Sequence, residues 1–158
     1  MLLPIPAQSI NYLLLIGKIE LLPELFGRVI VPGAVFAELS ERKAPELVRE
    51  WIASAPVWLE VHAVPNPESI PVLGAGEQEA ITLAQRLKAD VLLIDERQGR
   101  NEAVIRGLVI AGTLNILEVA SQRGLIDLAA SIEQLMKTNF RASPKIIDEF
   151  LARHSKAK

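Results

Sequence analysis

A chain of 158 residues fits a single domain. Half of it is hydrophobic and 23% is charged, which excludes a disordered or low-complexity protein. Aromatic residues make up only 4%, so the core must be aliphatic, a composition that favours a parallel sheet covered by helices over an aromatic-rich sandwich. Its 17 basic and 19 acidic residues give a formal charge of −2, which argues against indiscriminate nucleic-acid binding but leaves room for a local cationic patch. The absence of cysteine excludes disulfides, a thiolate nucleophile and cysteine-based metal sites. Two histidines, His62 and His154, are too few for a histidine-rich centre, so any metal would be oxygen-ligated, as Mg²⁺ or Mn²⁺ is.

In chain order, the apolar N-terminus carries no basic stretch and is broken by Pro4, Pro6, Gln8, Ser9 and Asn11. It falls short of the roughly 18 apolar residues of a membrane span, and a cytoplasmic globular protein is expected. Ser9 is positioned to cap a helix over 12–16 that stops at Gly17, and a short helix follows over 21–26. Residues 28–31 read as a buried strand ended by Pro32, which then opens a helix over 33–39. An amphipathic helix is predicted over 44–54, with Trp51 in its apolar stripe, and a half-exposed strand over 58–64, with His62 on its polar side.

After a Pro-, Ser- and Gly-rich loop over 65–76, the pattern becomes helix 77–87, turn 89–90 and strand 91–94, ending in Asp95. Helix 101–106, strand 108–111 and helix 113–121 follow, with Thr113 as the expected N-cap. Two further helices are read over 126–136 and from Ser143-Pro144 to about residue 152. Residues 1–152 thus read as one domain and 153–158 as a frayed basic tail. Short apolar strands alternating with helices are the mark of a parallel α/β sheet.

Ligands in such sheets gather at the carboxyl ends of the strands. Asp95 follows one strand directly, Glu38 lies on the helix after another, and Glu77 opens the helix preceding Asp95 in the sequence GAGEQEAI. Three convergent carboxylates would repel one another and select a hard divalent cation, which lowers the pKa of bound water and suits phosphodiester hydrolysis. Each acid also has a plainer role: Glu77 as helix-dipole chemistry, Glu38 as a solvated helix residue, Asp95 as a cap.

The stretches SINYLLLIGKIELLPELFGRVIVPGAVFAEL, LGAGEQEAITLAQRLKADVLLIDERQGR and GLVIAGTLNILEVASQRGLI resemble PIN domains, over roughly residues 9–150. They are most similar to the bacterial and archaeal branch long labelled a domain of unknown function and related to VapC-type toxins. The resemblance implies a three-layer α/β/α sandwich with a central parallel sheet. It also implies a Mg²⁺- or Mn²⁺-dependent ribonuclease acting on RNA, restrained in VapC-type proteins by a cognate antitoxin. Carried onto this sequence, the family's catalytic and metal-ligating acids are Glu38, Glu77 and Asp95.

One family acid has no counterpart. Pro6, Ala7 and Gln8 stand where the family's Asp-Thr-Ser closes the first strand, and Ser9 where its Pro stands. Pro4 and Pro6 also lack the N–H groups of a central strand, so the first strand is expected to be altered, distorted or displaced. Weak or absent nuclease activity follows, with a non-catalytic scaffold binding an antitoxin or other partner as the alternative. Asn11, Arg97, Arg100 and Thr113 are RNA-binding or auxiliary candidates: Asn11 reads equally as a phosphate contact or a cap, Thr113 more readily as a cap than as a group orienting a ligand, and the arginines as neutralising RNA phosphates or pairing with Glu96 or Glu102. Glu96, next to Asp95, is expected to point elsewhere. Many Leu and Ile on the helices of so short a chain make a homodimer plausible.

Overall fold

The computed structural model describes residues 1–157, and side chains through Arg153. Five short parallel strands carry the fold: β1 (Leu2–Pro4), β2 (Arg28–Pro32), β3 (Leu59–His62), β4 (Leu92–Leu93) and β5 (Ile110–Ala111). Strands β1, β2 and β3 pair in that order, β4 pairs with β5, and β4 lies beside β1. The strand order across the molecule is therefore β3-β2-β1-β4-β5, and the direction of winding reverses between β1 and β4.

Side-chain alternation divides the core into two layers. Leu3, Val29, Val31 and Leu93 face a cluster built with α1 (Ala7–Leu15), α2 (Leu21–Leu25), α4 (Glu46–Ala53), α7 (Thr113–Gln122) and α8 (Leu128–Met136). Leu92 and Ile94 face the opposite side, against Ala80, Ile81 and Ala84 of α5 (Ala75–Arg86) and Ala103 of α6 (Arg97–Ile105). The architecture expected from the sequence, helices on both faces of a parallel sheet, is the one the protein adopts. Helix α3 (Gly33–Ser40) follows β2, and α9 (Pro144–Ala157) closes the chain. That last helix passes the end expected near residue 152; Lys158 and the side chains of 154–157 lie outside the described residues.

The first strand is present and central, despite its prolines. Arg28 N donates to Met1 O at 2.9 Å and Ile5 N to Ile30 O at 3.0 Å, so the odd residues of β1 serve β2. The even residues face β4. Leu2 N there donates to the Asp90 side chain at 2.8 Å, and Pro4 and Pro6 have no N–H to give. The prolines thus leave the β1–β2 ladder whole and prevent a closed ladder with β4.

Element ends differ from the sequence reading in three places that matter for the site, the first being α6, read over 101–106, which begins at Arg97 with Glu96 as its N-cap. Ser9 does not cap α1, which begins at Ala7; it is fully buried inside the helix. Thr113 is the first residue of α7 rather than its cap, which is Gly112, and its N–H and hydroxyl turn elsewhere. Trp51 packs at 5.9 Å from Trp58, as a structural residue, and His62 Nε2 lies 3.1 Å from Glu60.

Glycines with φ of +71° to +77° follow several helices, at Gly17, Gly107 and Gly124. After α5 the same left-handed position is held by Lys88, with φ of 51°. Ala89 N reaches back to Ala84 O at 2.9 Å, so the turn itself is well formed. Only the Cβ is out of place. Lys88→Gly is expected to stabilise the fold by about 0.5–1 kcal/mol, read as a rise of about 1–3 °C in Tm; an unchanged or lower Tm would count against strain at this turn.

Candidate functional site

The reversal of winding between β1 and β4 opens a crevice above their carboxyl ends, where a ligand would be expected. A cavity of about 370 Å³ lies there, lined by Pro6, Gln8, Asn11 and Tyr12 of the α1 segment, by Glu38, Glu77 and Glu96, and by Asn139. Glu38 comes from the last turn of α3, Glu77 from the first turn of α5, and Glu96 from the N-cap of α6. Three carboxylates widely separated in sequence meet because three helices begin or end at one sheet edge.

Close backbone approach holds this cluster together. A methyl group on Gly76 would collide with Glu38 Oε1 and stand 3.1 Å from Val35 Cγ2. The Gly76 backbone instead hydrogen-bonds the Glu38 carboxylate. A methyl group on Gly99 would come within 2.5 Å of Ile94 Cδ1 and 2.9 Å of Glu77 Oε2. Gly76→Ala is therefore expected to push the Glu38 carboxylate out of the cavity. Stability should fall by about 1–2 kcal/mol, and any Mn²⁺-induced rise in Tm should shrink. An undiminished Mn²⁺ response would show that Glu38 takes no part in cation binding.

The electrostatics are those of acids crowded in a poor solvent. Burial pushes the Glu77 carboxyl up to about 7, with Glu96 and Glu38 adding in the same direction, and Glu96 is near enough to share its proton. Burial also raises Glu38, against the pull of the Gly76 backbone. Glu96 keeps its own oxygens on the α6 N-terminus, accepting from Gln98 N at 3.0 Å and Gly99 N at 2.7 Å. Glu77 Oε2 and Asn11 Oδ1 are buried and make no hydrogen bond. A buried acceptor without a donor is costly, and two of them beside one cavity invite a donor or a cation.

Asp95 does not join this cluster. Its Oδ2 accepts from Ser9 Oγ at 2.8 Å and Thr113 Oγ1 at 2.5 Å, and its Oδ1 accepts from Thr113 N at 2.8 Å. It lines a neighbouring cavity instead. Of the expected trio, Glu38 and Glu77 line the acidic cavity and Asp95 lines its neighbour, while Glu96, expected to point away, lines the acidic cavity with the first two. The reason is extended-chain alternation. Ile94 lies on the α5 side of the sheet, so Asp95 turns to the α1 and α7 side, and Glu96 returns to the side of Glu77.

The auxiliary candidates separate in the same way. Asn11 lines the carboxylate cavity, whereas Arg97 and Arg100 line the cavity of Asp95. Neither arginine pairs with Glu96 or Glu102 at ion-pair distance; Arg106 takes Glu102 at 3.7 Å, and Arg100 Nη1 donates to Ile94 O at 2.9 Å. Thr113 fixes Asp95 and does not reach the acidic cluster. Tyr12, Gln8 and Asn139 were not singled out by the sequence reading. The helical face shared by Gln8, Asn11 and Tyr12 was the available signal.

The family model DUF3368, described as a PIN domain, matches residues 5–156. The chain belongs to the PIN-domain family. Among solved structures, this PIN domain is similar to a PilT N-terminus domain protein, SSO1118, from the archaeon Sulfolobus solfataricus P2. The identity is 17% and the TM-score 0.55, over 90% of this chain and 100% of that one, a likeness of fold. No curated protein matches the chain.

A PIN domain is in general a nuclease fold, so the acids above merit testing against a divalent cation. Their chemistry suits one: every donor is oxygen, Glu77 Oε2 has no partner, and the raised Glu77 carboxyl lacks a counter-charge. Their spacing is open. Among the described residues no three His, Cys, Asp or Glu side chains form a ready-made metal cage. No helix among them is long and apolar enough to cross a membrane.

Proposed function

We propose that this PIN domain is a Mg²⁺- or Mn²⁺-dependent endoribonuclease of weak activity, in the VapC-related branch of the family. The observation that carries the reading is the convergence of Glu38, Glu77 and Glu96 on one cavity at the reversal of the sheet, with a buried Glu77 oxygen left unpartnered. Glu77 and Glu96 would hold the cation, with Glu38 and Asn11 on its rim. The bound ion would supply an activated water and neutralise charge on a phosphodiester. The chain's own contribution is to assemble these oxygens, to bury them enough that a cation is welcome, and to exclude competing cations of its own; no Lys or Arg lines this cavity.

The weakness follows from the first strand. Where the family carries an Asp, this chain has the segment Pro6–Ala7–Gln8, and Gln8 is a neutral neighbour donating to Tyr12 Oη at 3.1 Å. Asp95 is held by Ser9 and Thr113 and lines the neighbouring cavity. These two facts also support the second reading, a non-catalytic scaffold that binds an antitoxin or another protein. A homodimer and a cytoplasmic location belong with either reading as expectations.

Purified protein incubated with single-stranded RNA and Mn²⁺ should cleave slowly, cleavage should stop in excess EDTA, and Glu77→Gln should lower the rate at least tenfold. Equal rates for the wild type and Glu77→Gln would remove the acidic cavity from the reaction. A wild type that leaves RNA intact at millimolar Mn²⁺ would favour the scaffold.

A further inference from the structure

A second cavity, of about 730 Å³, adjoins the acidic one, and it is of opposite charge. Three guanidinium groups line it: Arg97 and Arg100 from α6, and Arg141 from the segment between α8 and α9. Asp95 is the single carboxylate lining it, and its oxygens already accept three hydrogen bonds. Among the described residues, none of the three arginines is in an ion pair. In a protein whose net charge is −2, three arginines free of ion pairs around one hollow, against one carboxylate, form a local anion-binding field.

The floor of this cavity is apolar. Leu114, Met136, Phe140 and Phe150 line it, and the volume is that of a small-molecule site rather than of a bare anion. Gly112 brings the N-terminus of the ten-residue helix α7 to its wall; a methyl group there would stand 2.9 Å from Arg100 Nη1, so glycine is what lets that guanidinium lie against the backbone. The wall shared with the acidic cavity is thin. Tyr12 lines the acidic side and Phe140 the cationic side, and their rings touch edge to face at 5.0 Å.

From this juxtaposition we propose that the arginine-rimmed cavity between α6, α7 and α9 binds one nucleotide unit of a single-stranded RNA, its phosphate on Arg97, Arg100 and Arg141 and its base on the apolar floor. The inference rests on the nuclease reading for its biological sense. As a binding site it stands on its own residues. A strand lying across the Tyr12–Phe140 wall would place a neighbouring phosphate over the acidic cavity. Bases without a duplex partner are commonly seated on apolar and aromatic surfaces beside arginine, which suits this lining.

The test is binding in excess EDTA, where metal-dependent cleavage cannot occur. A fluorescein-labelled hexanucleotide of single-stranded RNA, titrated with the full chain and followed by anisotropy, should bind. Arg97→Ala/Arg141→Ala should weaken binding at least tenfold and flatten its salt dependence. Arg123→Ala, at the far end of α7, should change it less than twofold. Adenosine 5′-monophosphate should displace the probe at a concentration at least tenfold below that of inorganic phosphate.

Binding unaffected by the double substitution would overturn the proposal, as would inorganic phosphate competing as well as the nucleotide. So would a cavity that takes an acidic peptide while the RNA probe stays unbound. Arg141→Ala alone, an exposed change outside any helix, keeps the test decisive if the double variant folds poorly. Glu77→Gln should retain RNA binding. If the wild type binds but does not cleave with Mn²⁺, the nuclease reading fails and the nucleotide site stands; loss of binding in a folded Glu77→Gln would overturn a separate nucleotide site.

Discussion

Thermal stability in EDTA should fall as the pH is raised from 5 to 8, and Glu77→Gln should remove much of that fall. The Glu77 carboxyl has its ordinary value near 4.5 when the chain is unfolded and about 7 when folded. Between those two values the folded protein holds a proton that the unfolded chain has released. Stability is therefore fully present below about 4.5 and is lost as the pH rises through 7. The shift would correspond to about 3 kcal/mol for a fully enclosed group, and Glu77 keeps enough contact with water that about 1–2 kcal/mol is the expected loss.

Glu38 is raised by burial as well and acts in the same direction, so some slope should survive in the variant. Glu60, held down to about 2 by Arg28 and His62, is ionised in the folded state throughout this window and mostly so in the unfolded chain, so it adds only a small rise near pH 5. At pH 8 the variant should melt about 2–6 °C above the wild type. Millimolar Mn²⁺ should raise the wild-type Tm at pH 8 and leave Glu77→Gln nearly unmoved. A wild-type Tm that is flat from pH 5 to 8 would show that the cavity does not crowd its acids.

The second large effect falls on Asp95, and it is structural. Asp95→Ala should cost about 3–4 kcal/mol, or roughly 6–15 °C in Tm. Its carboxylate is the acceptor for Ser9 Oγ, Thr113 N and Thr113 Oγ1, and both Ser9 and Thr113 are fully buried. Deleting it strands three donors in the seam between α1 and α7. Asp95→Asn should cost only about 1 kcal/mol, because the amide oxygen still accepts from Thr113 N and the hydroxyls can turn to accept from the NH₂ group. An Asp95→Ala variant as stable as the wild type would show that these bonds carry little. The pair of variants also separates stability from chemistry: a stable Asp95→Asn protein that still cleaves RNA would place Asp95 outside the reaction.

Much of the fold is legible in the sequence. The two-faced burial of 91–94, the Pro32 break after 28–31 and the Gly stops after helices are local signals, and most elements fall close to the sequence reading, although α1 begins five residues before the expected 12 and α6 four before the expected 101. The site is legible only in part. Glu38 and Glu77 do share a cavity, since each sits where a helix meets the carboxyl edge of the sheet. Asp95 was favoured over Glu96 because it comes first after the strand. Side-chain parity, traced from Leu92 and Ile94 on the α5 layer, leads to Glu96.

The burial of Ser9 could not be read locally, because a serine two residues inside a helix looks like a cap until its distant partner is known. The arginine cavity is half visible in the sequence. Arg97 and Arg100 stand beside Asp95, but Arg141 is 41 positions beyond Arg100 and reaches them only through the packing of α8 and α9.

The two prolines at the even positions of the first strand have a mechanical consequence. Between β1 and β4 the sheet is joined by stacked aliphatic side chains and by the Asp90 carboxylate on Leu2 N, while donors at positions 4 and 6 are missing. A ladder resists sliding because each bond must break at once, whereas greasy contacts yield by fractions of an ångström. The floor beneath the acids is thus the seam of the sheet least held by backbone hydrogen bonds, and the spacing of the carboxylates on its two banks rests on side-chain packing rather than on a ladder.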